Sequence, residues 1–200
     1  MKTSAITTER HPLSPFLPEG ARILMLGSFP PKKEKWSMEF FYPNWINDMW
    51  RIMGMVFFND REHFVAEDRS GKKLKMFDRE RCEAFAGEKG IAMFDTAQEV
   101  RRLKDNASDR FLEIVAYTDI GSLLDAIPEC RAIVTTGGKA TDALAERYGC
   151  KAPATGSCTD ITIGGRSLKL WKMPSTSRAY PLSLDKKAES YRKLFNTLIP

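Results

Sequence analysis

Histidine and cysteine are scarce in this chain of 200 residues, which has two histidines and four cysteines. The cysteines form no C-x-x-C pair and stand at Cys82, Cys130, Cys150 and Cys158. Only His11 and His63 could join them as ligands, whereas zinc and iron–sulfur sites need closely spaced groups of these types. We therefore expect no metal and no cofactor, and we interpret the cysteines as buried free thiols.

Long apolar runs are missing as well. No stretch approaches the roughly 20 residues that span a bilayer, and the polar segment Met1 to Arg10 has no signal-peptide core. Apolar residues make up 42% of the chain and charged residues 28%, as in soluble globular proteins. We expect a cytoplasmic monomer with one domain over residues 1–200, of which 1–20 form an N-terminal extension.

Positive charge is in excess. The formal net charge is +5, and the isoelectric point is about 9.0. A basic protein gains affinity for polyanions because it releases the counterions of their phosphates. The charge therefore favours a nucleic acid as partner, although many unrelated proteins are equally basic.

Apolar runs alternate with helical patterns along the chain, which is typical of a mostly parallel sheet. The apolar runs predict four strands, at Arg22–Leu26, Ile91–Phe94, Ala132–Thr135 and Leu168–Trp171. The periodic segments predict helices at Asn44–Phe57, Arg79–Glu88, Ile120–Ala126, Lys139–Tyr148 and Asp185–Leu198. The charged stretch from Asn59 to Lys75 is interpreted as a surface excursion.

Two short loops carry most of the information. Gly27-Ser28-Phe29-Pro30 follows the first predicted strand, and Met173-Pro174-Ser175-Thr176-Ser177-Arg178 follows the last, about 140 residues later. Both loops would lie at the carboxyl edge of one sheet, where α/β proteins place their chemistry.

Together with the aromatic segment Phe41-Tyr42-Pro43-Asn44-Trp45-Ile46-Asn47-Asp48-Met49-Trp50, these loops resemble the signature loops of the uracil-DNA glycosylase superfamily. The resemblance is closest to the mismatch-specific thymine/uracil and the hypoxanthine-DNA glycosylase-like branches. It implies a three-layer αβα sandwich around a central, mostly parallel four-stranded sheet. It also implies a monofunctional, metal-independent DNA-repair glycosylase that hydrolyses the bond to a flipped uracil or hypoxanthine, with damaged or mismatched DNA as partner.

The first loop is expected to form part of the base pocket through Gly27, Ser28 and Phe29. A glycine after a buried strand lets the backbone approach a ligand closely, although such a turn can also simply end a strand. In the superfamily this loop often carries an Asp, Asn or Glu that orients the attacking water. Phe29 stands at that place and cannot hold a water molecule.

Asn47 is therefore the predicted catalytic residue. The resemblance places it at the asparagine proposed as catalytic in the hypoxanthine-type branch, and Asn44 is the competing candidate. An amide oxygen can hold a water without adding negative charge near the sugar, but it cannot take up the proton fully. Either asparagine could instead cap the helix that follows.

The strand ending in Phe94-Asp95-Thr96 is expected to contribute Phe94 and Asp95 to the base pocket, with Phe41 as a second aromatic wall. Uracil-specific enzymes have an asparagine at the position of Asp95, and Asn106-Ala107-Ser108-Asp109 resembles their following loop. An ionised carboxylate accepts hydrogen bonds but donates none. Either Asp95 is protonated, or it turns aside to the backbone, or the substrate differs from uracil, with hypoxanthine as one possibility.

The final loop resembles the loops with which these families contact phosphates beside the lesion and fill the space left by the base. The expected DNA-binding residues are Pro174, Ser175, Thr176, Ser177, Arg178 and Tyr180. Met173 stands where uracil-specific enzymes have a histidine that donates to the departing base, and methionine cannot donate. Leaving-group stabilisation is then expected from backbone donors near Ser28 and Phe29.

Two other functions are compatible with the sequence. A non-catalytic DNA-binding member of the fold would explain the missing first-loop ligand and the missing histidine. A nucleotide-binding α/β protein could use Gly27 and Thr136-Gly137-Gly138-Lys139 for phosphate, although this segment lacks P-loop and dinucleotide-motif spacings. DNA binding without base release would indicate the first, and nucleotide binding without duplex affinity the second.

Overall fold

The computed structural model describes residues 7–103 and 112–199. Its strands are β1 (Thr8–Arg10), β2 (Ile23–Gly27), β3 (Val65–Glu67), β4 (Lys73–Phe77), β5 (Ile91–Asp95), β6 (Ala97–Arg102), β7 (Leu112–Tyr117), β8 (Ala132–Thr136), β9 (Ser157–Ile163) and β10 (Arg166–Met173). Its helices are α1 (Met49–Phe57), α2 (Arg79–Glu88), α3 (Ile120–Ala126), α4 (Gly138–Tyr148) and α5 (Leu184–Leu198), besides a 3-10 turn at Lys33–Lys35. The segment Asn106–Asp109 lies outside the described residues.

The central sheet has the strand order β5-β2-β8-β10-β9. The first four strands are parallel and correspond to the four predicted ones. The prediction of four strands is nevertheless wrong, because β9 pairs antiparallel with β10 at the edge. Strand β9 escaped detection because its residues alternate between exposed and less exposed positions and include polar side chains.

Burial explains why the four parallel strands were readable in the sequence. Every residue of β2 and β5 is buried, and so are the first four residues of β8. Because neighbouring side chains of a strand point to opposite faces, the sheet must be covered on both sides. On the covering layers, α1 packs against α5, α2 against β5, and α4 against β8 and β9.

The N-terminal segment takes part in this architecture. Strand β1 pairs with β6, which pairs with β7, so that a second sheet forms with the order β1-β6-β7. Farther on, Phe16 exchanges backbone hydrogen bonds with Met93 of β5. The segment between these two anchors therefore crosses the carboxyl end of β5.

Helix α1 begins later than the sequence suggested, at Met49 instead of Asn44. Residues 44–48 form turns in which the Asn44 side chain accepts from the Ile46 N–H and the Asn47 side chain from the Met49 N–H. Short side-chain acceptors of this kind compete with helical hydrogen bonds and stabilise turns. The predicted surface excursion forms the β3–β4 hairpin, and Phe64 and Phe77 anchor it in the core.

Among the helices of the described residues, none is long and apolar enough to cross a membrane.

Candidate base-binding pocket

A cavity of about 550 Å³ opens at the carboxyl ends of β2, β5 and β8. Three chain segments line it: the first loop (27–31), the aromatic segment (41–47, without Trp45) and the final loop (175–181, without Arg178). Leu13, Asp95 and Thr136 complete the lining. The fold therefore brings together the two loops that the sequence singled out and the aromatic segment between them.

Gly27 ends β2 directly beside Asp95, its register partner at the end of β5. A Cβ atom at position 27 would collide with the Asp95 carboxylate. Glycine is therefore required here so that the carboxylate can lie over the backbone of the first loop. Ser28 and Phe29 follow as cavity-lining residues, and the Ser28 carbonyl accepts from the Ala97 N–H at 3.1 Å.

Phe29 is almost fully buried and packs on Ala97, Val100 and Leu112 of the second sheet. Its ring meets the His11 ring edge-on, with 5.4 Å between the ring centroids. Phe29 is thus an apolar contact with the second sheet and offers no polar group to the cavity. This geometry leaves the aromatic segment as the side of the cavity that offers amide groups.

Asp95 is 8% exposed and is held by a residue that sequence analysis did not select. The Oδ2 atom of Asp95 lies 2.8 Å from Nε2 of His11. The Asp95 side chain therefore neither turns to the backbone nor stands alone in a dry pocket. No local pattern could have revealed this contact, because the two residues are 84 positions apart.

Some of the aromatic residues line the cavity, and others pack behind those that do. Phe41 lines the cavity, whereas Phe94 does not and packs behind it with a centroid distance of 6.2 Å. Tyr42, which the sequence analysis did not select, lines the cavity and places its hydroxyl 3.4 Å from that of Thr136. Burial raises the pKa of the Tyr42 phenol well above its usual range, and the Asp95 charge adds to the rise. The phenol is therefore neutral and able to donate near physiological pH.

Asn44 and Asn47 both line the cavity. Each accepts a backbone N–H through its Oδ1, Asn44 from Ile46 and Asn47 from Met49. Each also forms an isolated backbone bridge, Asn44 with Trp36 and Asn47 with Ser177. An amide oxygen has two lone pairs, so one of them is still available to a water. The structure therefore assigns Asn47 a turn-stabilising contact that is compatible with the predicted role.

The final loop contributes Ser175, Thr176, Ser177 and Tyr180 to the cavity lining. Its conformation is set by local acceptors, because Ser175 Oγ accepts from the Ser177 N–H and Ser177 Oγ accepts from the Ala179 N–H. Pro174 lies outside the lining, and its carbonyl accepts a hydrogen bond from the buried Tyr191 hydroxyl at 3.0 Å. Met173 is buried in the core and does not line the cavity either.

A buried carboxylate fastens the final loop to the aromatic segment. Asp48 is 6% exposed, and its two oxygens lie 3.0 Å from Lys187 Nζ and 3.1 Å from Arg178 Nε. The Asp48 N–H donates to the Thr176 carbonyl, and Lys187 also donates to the Ser177 carbonyl. Arg178, predicted to contact DNA, therefore lies beside the cavity against Asp48.

The cysteines lie away from this cavity. Cys82 and Cys130 are buried, whereas Cys158 is exposed and Cys150 is partly exposed, so the expectation of buried thiols is correct for only two. Burial raises the pKa of the Cys130 thiol to about 11. In residues 7–103 and 112–199, no group of three or more Cys, His, Asp or Glu side chains has a metal-binding arrangement.

No protein-family model matches the sequence, and no curated protein matches it significantly. The structure is similar to the solution NMR structure of a protein from Methanosarcina acetivorans that is described as a candidate uracil DNA glycosylase. The two chains are 20% identical, the match covers 96% of this chain and 99% of the other, and the TM-score is 0.59. At this identity the likeness concerns the fold, and function must be argued from the site. The protein thus shares the α/β fold of that structure.

Proposed function

We propose that this protein is a DNA-repair glycosylase that removes a deaminated or mismatched base, uracil or hypoxanthine, from DNA. The observation that carries the proposal is the cavity at the carboxyl edge of the sheet. Its three lining segments are those that resemble the glycosylase signature, although they are far apart in sequence. A volume of about 550 Å³ accommodates a flipped nucleotide with room for a water molecule.

The walls of the cavity suit a flipped base. Phe41 and Tyr42 offer aromatic surface against which a base can stack, worth about 1–3 kcal/mol per base. The carboxylate of Asp95 lies at the floor and can meet the hydrogen-bonding edge of the base. Ser175, Ser177 and Tyr180 line the mouth, and hydroxyl groups of this kind bind phosphate oxygens.

Asn47 is the group proposed to position the attacking water. Its Oδ1 uses one lone pair for the Met49 N–H, so the water would donate to the other. Because an amide cannot take up the proton fully, the reaction would depend on cleavage of the glycosidic bond running ahead of water attack. The chain itself supplies the groups named for each of these steps, and we propose that it acts as a monomer without metal or cofactor.

The experiment is a base-excision assay in EDTA with labelled duplexes that contain uracil, hypoxanthine or a mismatched thymine. Alkali-labile abasic sites report base release. We expect release from at least one of these duplexes, and Asn47→Ala should lower the rate about 100-fold or more. Asn44→Ala tests the competing water ligand, and the exposed helical residue Asn196 gives the matched control Asn196→Ala.

Removing the Asn47 side chain also removes the acceptor of the Met49 N–H, which costs about 1 kcal/mol of stability. Rates should therefore be compared at a temperature at which each variant is fully folded by circular dichroism. Asn47→Ser keeps a short side-chain acceptor for the Met49 N–H but removes the amide, so it separates loss of the turn from loss of the water ligand. Absence of base release from every duplex, with DNA binding intact, would instead favour the non-catalytic DNA-binding member of the fold.

A further inference from the structure

The side chain of His11 is fully buried, although it lies only one residue beyond β1. The backbone N–H of His11 donates to the Gln98 carbonyl, and Phe16 is fixed to β5, so the segment is held at both ends. Three aromatic rings surround the imidazole: Phe29, Phe41 and Phe94. The N-terminal segment thus delivers one titratable group to the floor of the pocket, directly behind Asp95.

Both ring nitrogens of His11 have partners. Nε2 lies 2.8 Å from Asp95 Oδ2, and Nδ1 lies 2.9 Å from the Leu13 carbonyl oxygen and 3.2 Å from the Leu13 nitrogen. In the cationic form Nδ1–H donates to the Leu13 carbonyl, and in the neutral Nε2–H form Nδ1 accepts from the Leu13 N–H. Both of these forms keep a proton on Nε2 and leave Asp95 as a carboxylate, whereas in the neutral Nδ1–H form Nε2 would accept from a protonated Asp95.

The second oxygen of Asp95 faces the cavity side. Oδ1 lies over Gly27, within the cavity lining, and no described residue donates a hydrogen bond to it. A carboxylate oxygen accepts hydrogen bonds and repels other acceptors. Asp95 therefore offers a ligand one acceptor whose orientation is fixed from behind by His11.

We propose that His11 is a positioning residue that makes the pocket specific for bases with a ring N–H, an inference that rests on the proposed function. Deamination turns the ring acceptor N3 of cytosine into the N3–H of uracil, and the ring acceptor N1 of adenine into the N1–H of hypoxanthine. Asp95 accepts from both products and repels the lone pair of both parent bases. A protonated Asp95 would have the opposite preference, so this specificity requires that the proton of the contact lie on Nε2 of His11.

The same contact reduces the charge penalty of a carboxylate beside a departing base. In its cationic form His11 balances the Asp95 charge within 2.8 Å, so the base anion does not leave against a net negative group. Met173 cannot provide a donor there, because its thioether has no hydrogen to donate.

The first test measures binding, so that it does not depend on catalysis. Duplexes carry a 2′-fluoro nucleotide, which keeps the glycosidic bond intact, with hypoxanthine, adenine, uracil or cytosine as the base. The wild type should bind each deaminated base about 10- to 100-fold more tightly than its parent. This is the effect expected when a buried acceptor receives a hydrogen bond instead of facing another acceptor. His11→Phe should lose this preference, and His11→Gln, which retains an N–H donor, should recover part of it.

The remaining histidine supplies the matched control. His63 stacks on Phe58, away from the cavity, so His63→Gln should keep the full preference. Should His11→Phe fail to fold, Asp95→Asn gives an independent variant, because its amide can both donate and accept and should therefore bind the parent bases nearly as well as the deaminated ones.

The second test observes the proton directly in the wild type. With only two histidines, imidazole ¹⁵N spectra can be assigned by comparison with His63→Gln. We expect Nε2 of His11 to carry a proton, with or without one on Nδ1. An unprotonated Nε2, or equal affinity for deaminated and parent bases, overturns the inference. If bases are released but deaminated and parent bases bind equally well, the proposed function holds and the inference fails. If deaminated bases bind more tightly but no base is released, the proposed function fails and the inference holds.

Discussion

Two buried aspartates belong to segments that form the cavity, and their surroundings differ. Asp48, beside the aromatic segment, has both oxygens paired with the cations of Lys187 and Arg178 and does not line the cavity. Asp95, at the floor, uses one oxygen for His11 and keeps the other at the cavity. Buried carboxylates are tolerated when their oxygens are satisfied. The oxygen left over on Asp95 therefore marks it as the carboxylate available to a ligand, whereas Asp48 holds the structure together.

The largest effect should come from the structural carboxylate. Lys187→Met leaves Asp48 buried with only the half-exposed Arg178 as partner, and breaking a buried pair in this way costs about 3–5 kcal/mol. We expect the free energy of unfolding, measured in urea, to fall by an amount near the lower end of this range, because Arg178 remains.

The paired variant Asp48→Asn with Lys187→Met removes the charge as well as its partner. It should recover part of the lost stability, since a neutral amide is less costly to bury than an unpaired carboxylate. A loss below about 1 kcal/mol for Lys187→Met alone would show that the pair contributes no more than a surface contact.

A single methyl group added at Gly27 should disturb the cavity beside Asp95. Gly27→Ala places a Cβ atom where the Asp95 carboxylate lies, so that either the strand or the carboxylate must shift. Overpacking of this kind costs about 1–3 kcal/mol in stability. If the proposed function holds, base binding should fall as well, because the displaced carboxylate no longer meets the base.

Gly138→Ala is the matched control for this substitution. Gly138 opens α4, and its added Cβ would make only an ordinary contact with Asp142. It should change neither stability nor base binding appreciably. Equal behaviour of the two alanine variants in thermal unfolding and in binding to a uracil- or hypoxanthine-containing duplex would contradict the close approach of Gly27 to Asp95.

The comparison also shows what the sequence could and could not reveal. The parallel strands and the two loops were predictable, because burial on both faces leaves continuous apolar runs and the loops follow them directly. Strand β9 was not predictable, because its residues alternate between exposed and less exposed positions and polar side chains interrupt the apolar ones. The partners of both aspartates are also long-range: His11 is 84 positions from Asp95, and Lys187 is 139 positions from Asp48. Local sequence patterns do not predict pairs between residues this far apart in the chain.

The pH dependence of stability should report on the buried tyrosines near the cavity. Burial raises the pKa of Tyr191 well above its usual range, and its hydroxyl supports Pro174 of the final loop. Above pH 10 the unfolded phenol ionises while the folded one stays protonated, so the unfolded state binds fewer protons. The stability that the Tyr191 phenol contributes should therefore be fully present below about pH 10. It should fall as the pH rises further, by up to about 1.4 kcal/mol per pH unit.

Tyr191→Phe tests the contribution of the Tyr191 hydroxyl to stability. It should cost about 1 kcal/mol near neutral pH through the lost hydrogen bond to Pro174. Its stability should then decline less steeply than that of the wild type above pH 10. Urea unfolding from pH 9 to 11 measures both effects, with Tyr42→Phe as the corresponding variant among the residues that line the cavity. Parallel slopes for wild type and Tyr191→Phe would disprove the assignment.

The smallest stability effect is expected for Arg178, the exposed partner of Asp48. Its side chain is 47% exposed, so solvent screens the pair and Arg178→Met should cost less than about 1 kcal/mol. If this arginine contacts a phosphate as proposed, the variant should nevertheless bind DNA more weakly and lower the slope of log affinity against log salt by about 1. Lys193→Met, which removes an exposed lysine paired with Glu189 on α5, is the charge-matched control. An unchanged salt slope would mean that Arg178 stays with Asp48 when DNA is bound, so that it stabilises the wall of the cavity without contacting the phosphates.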